Sequence, residues 1–223
     1  MSSILLPFNQ YHRENLLREN IHPSKIFVTG NPTYEAMWHF MPKIEVSHIL
    51  DTLGLASGDY ILATAHRSEN VDVDEYRNNI VSALGAIAAT YGKKVIFSCH
   101  PRTQSKLKNT PMPKGVEIMK PLGFYDFNKL AKHCFCFLSD SGTAPEEALL
   151  YNLPCVTLRK TTERPETVES GGTIIAGMNL ENIVASVETA VKQERRTRYE
   201  FEKDFAPSSV VINALRSDIT NYF

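Results

Sequence analysis

The chain has 223 residues, 43% hydrophobic and 22% charged, enough to bury the core of one large α/β domain or of a domain with a small appendage. Lys and Arg number 24 against 25 Asp and Glu, which excludes the global basic field of a nucleic-acid binder but leaves room for a local phosphate pocket. No apolar run approaches the ~20 residues of a membrane span, and the start Met1-Ser2-Ser3-Ile4-Leu5-Leu6 lacks the basic flank of a secretory signal, so a cytoplasmic protein with neither membrane nor nucleic-acid partner is expected.

Residues before Gly58 are the least regular. Residues 14–20 read as a helix, 25–28 as a strand running into the turn Gly30-Asn31-Pro32, and 46–53 as a helix closed by Gly54. Beyond Gly58, short β-type runs alternate with longer helical patterns. Strands are expected at 60–65, 94–98, 116–119, 134–139, 154–158 and 173–176, mostly apolar on both sides of the zigzag, as parallel strands buried on both faces are. Helices are expected at 73–90, closed by Gly92, and at 124–133, 144–151 and 180–192, the last capped by Asn179. A final helix is expected over 210–223, with Pro207-Ser208-Ser209 as its capped start. This alternation predicts right-handed crossovers and a doubly wound, Rossmann-like parallel sheet. Cys134 and Cys136, two apart in an apolar strand, read as core residues alongside Cys99 and Cys155, with neither metal site nor disulfide framework implied.

In doubly wound sheets ligands bind at the carboxyl ends of the strands, so the loops there are the ones to search. Four are rich in polar residues. His66-Arg67-Ser68-Glu69-Asn70 and, after the next strand, Ser98-Cys99-His100-Pro101-Arg102 each set a His beside an Arg, which suits phosphate contact or proton transfer; a solvated loop and a proline turn are the plain alternatives. Ser139-Asp140-Ser141-Gly142-Thr143 leads into a helix with Pro145 in its first turn, offering N–H groups and hydroxyls to an anion, with Glu147 one turn in; ordinary helix capping gives the same pattern. Arg159-Lys160-Thr161-Thr162-Glu163-Arg164-Pro165-Glu166 brings three cations and suits a diphosphate, unless these pair with Glu163 and Glu166. Phe124, Tyr125 and Phe127 follow another strand, where an aromatic can stack on a base or simply join the core.

Taken in order, Ala65-His66-Arg67-Ser68-Glu69-Asn70, Asp140-Ser141-Gly142 with Glu146-Glu147, and Thr161-Thr162-Glu163-Arg164-Pro165-Glu166 closely resemble the non-hydrolysing UDP-N-acetylglucosamine 2-epimerases. Arg13-Glu14-Asn15-Leu16-Leu17 and Val28-Thr29-Gly30-Asn31-Pro32 match the same family's linker, and the register holds from about Phe8 to the C-terminus. The resemblance implies the second half of a glycosyltransferase-B-like fold. Residues 1–57 would be linker and first-domain remnant, 58–205 the UDP-binding domain and 206–223 a C-terminal crossover helix. It also implies a reaction without metal or other cofactor: UDP is eliminated to leave a 2-acetamidoglucal and re-added with inversion at C2, for cell-surface polysaccharide precursors.

By position, the resemblance makes His66 the active-site histidine near the diphosphate. Ser141, Gly142 and Thr143 would hold phosphate oxygens, Glu147 the ribose, Arg164 the diphosphate and Phe127 the uracil. Arg67 and His100 resemble contacts to a second, regulatory UDP-sugar. Two departures stand out: Thr143 replaces the second glycine of the family's Asp-Ser-Gly-Gly, and Ser68 replaces an arginine, as in members acting on UDP-2-acetamido-2,6-dideoxyhexoses. The family's proton-transfer carboxylates lie in its first domain and are not matched here. The resemblance therefore implies a homodimer whose epimerisation draws on a first domain, which another chain could supply. A glycosyltransferase of similar fold and a non-catalytic UDP-sugar binder are the other readings; the paired His66-Arg67 and Thr162-Glu163-Arg164-Pro165 loops speak against the former.

Overall fold

The computed structural model describes residues 4–193 and 206–217. In chain order, α1 (Gln10–Arg18), a 3-10 turn (Pro23–Lys25), α2 (Pro32–Glu45) and α3 (Ile49–Leu53) precede β1 (Tyr60–Thr64). Then come α4 (Ser68–Val71), α5 (Asp74–Tyr91), β2 (Lys94–Ser98), α6 (Pro101–Leu107), β3 (Val116–Met119) and α7 (Phe124–His133). The rest comprises β4 (Phe137–Ser139), α8 (Ala144–Tyr151), β5 (Cys155–Thr157), α9 (Pro165–Glu169), β6 (Thr173–Ile175), α10 (Leu180–Lys192) and α11 (Pro207–Arg216). The described residues fall into two compact units, 4–41 with 206–217, and 42–193.

In the smaller unit, Asn9 caps α1 by accepting from the His12 amide at 2.9 Å. Glu35 of α2 accepts from the backbone N–H and the hydroxyl of Ser208, tying down the first turn of α11. The expected strand at 25–28 is reduced to a single parallel bridge between Leu5 and Ile26, preceded by the 3-10 turn at Pro23. One bridge suffices because the amides of Leu5 and Phe27 exchange hydrogen bonds with the carbonyls of Lys25 and Leu5, at 2.7 and 3.0 Å. The expected helix at 14–20 starts earlier, at Gln10, because the cap is Asn9. The final helix starts at Pro207, and residues 218–223 of that expectation lie outside the described residues.

The larger unit is a six-stranded, all-parallel sheet in the order β3-β2-β1-β4-β5-β6. The doubly wound fold expected of the sequence is therefore present, with strand order reversing between β1 and β4. Alternation along the strands divides the core. Ile61, Ala63, Val95, Phe97, Cys136 and Leu138 pack with α5 and α10. Tyr60, Leu62, Ile96 and Phe137 pack on the other face with α3, α7 and α8. All four cysteines are buried and free, as core residues should be.

Several expected elements change length or type. The strand expected at 134–139 begins at Phe137, because Cys134 still closes α7 through its N–H on Ala131. The helix expected at 46–53 is trimmed to Ile49–Leu53, and Gly54 closes it in the left-handed conformation. Helices α2, α4, α6 and α9 appear where loops or turns were expected; three of them begin at a proline, whose fixed φ suits a first helical position.

Close packing of α8 against the turn before β6 offers a stability test. A Cβ on Gly172 would stand 2.1 Å from Cδ2 and 2.9 Å from Cγ of Leu149, a fully buried side chain that would have to shift. Gly172→Ala is expected to destabilise the domain by about 1–3 kcal/mol through overpacking, read as a lowered urea midpoint at unchanged slope; a wild-type midpoint would contradict this packing.

Candidate functional site

Continuing the alternation past the apolar core puts polar groups at the strand ends. Thr64 and Ser139 are register partners as the last residues of β1 and β4, and their hydroxyls lie 2.7 Å apart. Ser98 ends β2 in the same way. These hydroxyls open into a cleft of about 290 Å³ at the carboxyl ends of the strands, the size of a small-ligand site. Its polar lining adds Ser141, Glu147 and the imidazoles of His66 and His100, and its apolar lining comes from Pro121, Leu122, Phe127 and Phe137. Phe127 meets Phe137 edge-on at 6.0 Å between ring centroids.

Asp140 organises the polar side. It is fully buried, yet its carboxylate accepts from the backbone N–H groups of His66 and Arg67 at 2.9 and 2.8 Å and from Asn70 Nδ2 at 3.0 Å. Asn70 also donates to the carbonyl of Leu158, just past β5. The ring of His66 completes the set, with Nδ1 3.0 Å from an Asp140 oxygen. Burial alone would raise the Asp140 carboxyl, but the hydrogen bonds from His66, Arg67 and Asn70 hold it below the usual carboxylate range. The same bond from Asp140 raises His66 above its ordinary value, against the opposing effects of burial and of Arg67. The result is a half-exposed imidazole inclined to hold a proton, oriented by a buried carboxylate.

At the start of α8, Thr143 sits in the cap position without a side-chain cap bond. Its hydroxyl donates instead to Glu147 at 2.9 Å and lies 3.2 Å from the Ser141 hydroxyl. The Ser141 amide donates to Ser139 Oγ at 3.0 Å. Loss of water around Glu147 raises its carboxyl, with Glu146 adding to the effect and Thr143 opposing it. The Ser141 hydroxyl in turn accepts from the Thr143 amide at 3.4 Å, so hydroxyls close the turn just ahead of α8, and no side chain at the cap position takes the helix's first N–H groups. A Cβ on Gly142 would come within 3.1 Å of a Glu163 carboxylate oxygen, so this half-exposed side chain would have to give way slightly.

Of the residues singled out in the sequence, His66, His100, Phe127, Ser141 and Glu147 line the cleft together. Gly142 and Thr143 lie in the adjoining turn. Arg67 turns towards Glu69 and Glu163, at 3.4 and 3.9 Å. Arg164 donates through Nε to Glu146 at 2.6 Å, a carboxylate only 2% exposed. His100 accepts weakly from the Arg102 amide at 3.4 Å as it opens α6, so Pro101 begins a helix there and not just a surface turn. Sequence reasoning gave no role to Asp140, Asn70, Thr64 or Ser98. The signal available for the last two was a hydroxyl residue ending successive buried strands on the same face. Among the described residues, no three His, Cys, Asp or Glu side chains gather as a metal site.

Comparison with known proteins agrees with this geometry. The family model for UDP-N-acetylglucosamine 2-epimerase matches residues 1–209. The UDP-N-acetylglucosamine 2-epimerase of Methanocaldococcus jannaschii is 38% identical over 210 residues, covering 90% of this chain and 57% of the relative. Its crystal structure in complex with UDP-GlcNAc and UDP superposes with a TM-score of 0.85 at 36% identity, over 96% of this chain and 61% of that one. The structure of UDP-N-acetylglucosamine 2-epimerase from Rickettsia bellii gives a TM-score of 0.87 at 28% identity, over 99% and 61%. The chain thus spans somewhat over half the length of the relatives it matches, and its sheet is equivalent to one half of their glycosyltransferase-B-like fold.

The Asp140 cluster makes a pH-dependent prediction. Asp140→Asn is expected to cost on the order of 2–4 kcal/mol near neutral pH, as charge-assisted hydrogen bonds are weakened. A carboxyl held below its ordinary 3.8 contributes stability above that value and loses it as pH falls through the folded pKa. An imidazole raised above 6.5 contributes fully below 6.5 and loses its share as pH rises through its folded pKa. The wild-type advantage should therefore be greatest between about pH 4 and 6.5. It should vanish in acid and shrink only in part in alkali, where the amide bonds to Asp140 persist. Urea unfolding across pH and NMR titration of His66 measure both effects; an unchanged His66 titration in the variant would refute the coupling.

Proposed function

This chain belongs to the UDP-N-acetylglucosamine 2-epimerase family, and on that premise we propose that its cleft binds the UDP part of a UDP-N-acetylhexosamine whose C2 is to be inverted. The observation that carries the reading is the convergence, at the β1/β4 reversal, of His66, Phe127, Ser141 and Glu147 beside the uncapped N-terminus of α8. In this reading the uracil lies against Phe127 in the apolar part of the cleft. Glu147 takes the ribose hydroxyls, and the turn at residues 141–143, through the Gly142 amide and the hydroxyls of Ser141 and Thr143, takes the phosphates, which are drawn to a helix N-terminus. Arg164 joins the diphosphate with its Nε already engaged by Glu146.

His66 serves the departure of UDP. Abstraction of the C2 proton sends its electron pair into a C1–C2 double bond as the C1–O bond breaks and its pair leaves with the diphosphate. A protonated imidazole held by Asp140 stabilises that growing negative charge. Re-addition of UDP with protonation of C2 from the opposite face completes the inversion. The carboxylates that the resemblance assigns to the C2 proton belong to the part of the relatives beyond the matched length. We therefore infer that the working unit includes that part, in the same polypeptide or another chain, within a cytoplasmic homodimer. Arg67 and His100 are proposed to contact a second UDP-sugar with a regulatory role.

Calorimetry with UDP tests the reading. Binding in the micromolar to millimolar range is expected, with Glu147→Ala weakening it by about 1.5–3 kcal/mol, the range for hydrogen bonds to a charged group. Absence of binding at millimolar UDP would overturn the site, and an unchanged affinity in Glu147→Ala would remove the ribose contact.

A further inference from the structure

Two residues behind the cleft join its aromatic side to its carboxylate side. Asn128 follows Phe127 on α7 and is 2% exposed. Its Nδ2 donates to the carbonyl of Phe124 at 2.9 Å, and its Oδ1 accepts from the hydroxyl of Tyr151 at 3.1 Å. Tyr151 is the last residue of α8, four residues after Glu147 and hence one turn along the same face of the helix. Burial raises the Tyr151 phenol, so it keeps its proton at any physiological pH. A single hydrogen bond thus links the residue next to Phe127 with the residue one turn from Glu147.

α7 has a separate attachment. Ser47 donates to Asp126 at 2.5 Å, and Lys129 and Lys132 both engage Glu45. These bonds fix α7 to the segment before α3. The Asn128–Tyr151 bond instead joins α7 to α8. Losing it would leave α7 folded and anchored, yet less constrained in its distance from α8.

Resting on the UDP reading above, we infer that Asn128 and Tyr151 form a positioning pair that sets the spacing between Phe127 and Glu147 and thereby selects for the nucleoside part of the ligand. Neither residue lines the cleft, so the pair acts through its neighbours. The phosphate-facing turn at residues 141–143 lies at the far end of α8 from Tyr151 and should not depend on it.

Tyr151→Phe removes one oxygen and keeps the ring. The test measures binding of UDP, UMP and inorganic pyrophosphate to wild type and variant, with urea unfolding as a check on the fold. UDP and UMP are expected to weaken alike by about two- to tenfold, the size of one neutral hydrogen bond, while pyrophosphate is unchanged. Unchanged UDP affinity, or a parallel loss for pyrophosphate, would overturn the inference. Asn128→Ala and the double variant complete a cycle in which the nucleoside losses should be non-additive; additive losses overturn the pairing. Should Asn128→Ala fail to fold, Tyr151→Phe alone decides. A wild-type protein that binds pyrophosphate but no uridine nucleotide refutes the UDP reading itself, whereas failure of the inference appears only in the variants.

Discussion

A fully buried carboxylate at the switch point of the sheet is the constraint on which the site depends. Leaving a charge such as Asp140 unpaired in the interior costs several kcal/mol or forces it to take up a proton. Its partners come from the chain some 70 residues earlier: two backbone amides, the Asn70 amide and the His66 ring. Satisfying all of them makes the chain after β1 fold back over the end of β4 and continue into the short α4. The orientation of His66 follows from that requirement, since its own N–H and its Nδ1 both lie against Asp140.

The sheet supplies the second ingredient. Parallel pairing in the register Thr64 with Ser139 puts polar residues level at the ends of adjacent strands, and alternation sends them to the face shared with α7 and α8. On that face Leu62 and Phe137 are core, while the residue two further along each strand opens into the cleft. One periodic pattern therefore builds both the hydrophobic layer and the polar end of the site. The reversal of strand order at β1 and β4 sends the following chain to opposite sides, so the crevice between them stays open.

The parts legible in the sequence were those encoded by local periodicity. All six strands were recognisable as β-branched and apolar runs, and α5, α7, α8 and α10 as helices with apolar residues at three- and four-residue spacing. Four helices were not. α4, α6 and α9 have seven residues or fewer, too short for a periodic stripe, and α2 contains Pro42, which argues locally against a helix. The cleft's residues could be named from loop position and family resemblance, but what holds them could not. Asp140 and Asn70 are 70 residues apart, and nothing local to either predicts their hydrogen bond. Pairing was only half legible in the loop at 159–166: the sequence offered Glu163 and Glu166 to its cations and Arg159 does take Glu163, but nothing local pointed to Glu146 as the acceptor of the Arg164 Nε.

The arginines around the α8 N-terminus show how such a site stays polar without being strongly basic. Arg164 is held by Glu146, and Arg159 by Glu163 at 2.7 Å with Arg67 nearby at 3.9 Å. These two carboxylates are not equivalent. The Glu146 side chain is 3% exposed, so separating it from Arg164 would strand a buried charge at a cost of several kcal/mol. Glu163 is 48% exposed and can return to water, provided that another anion takes its place beside Arg159, whose own side chain is only 10% exposed. An anion arriving beside Gly142 thus meets one pair that stays intact and one carboxylate that can be displaced. The Glu146–Arg164 pair keeps the turn in shape, while Arg67 and Arg159 are the cations whose partner can be exchanged at low cost.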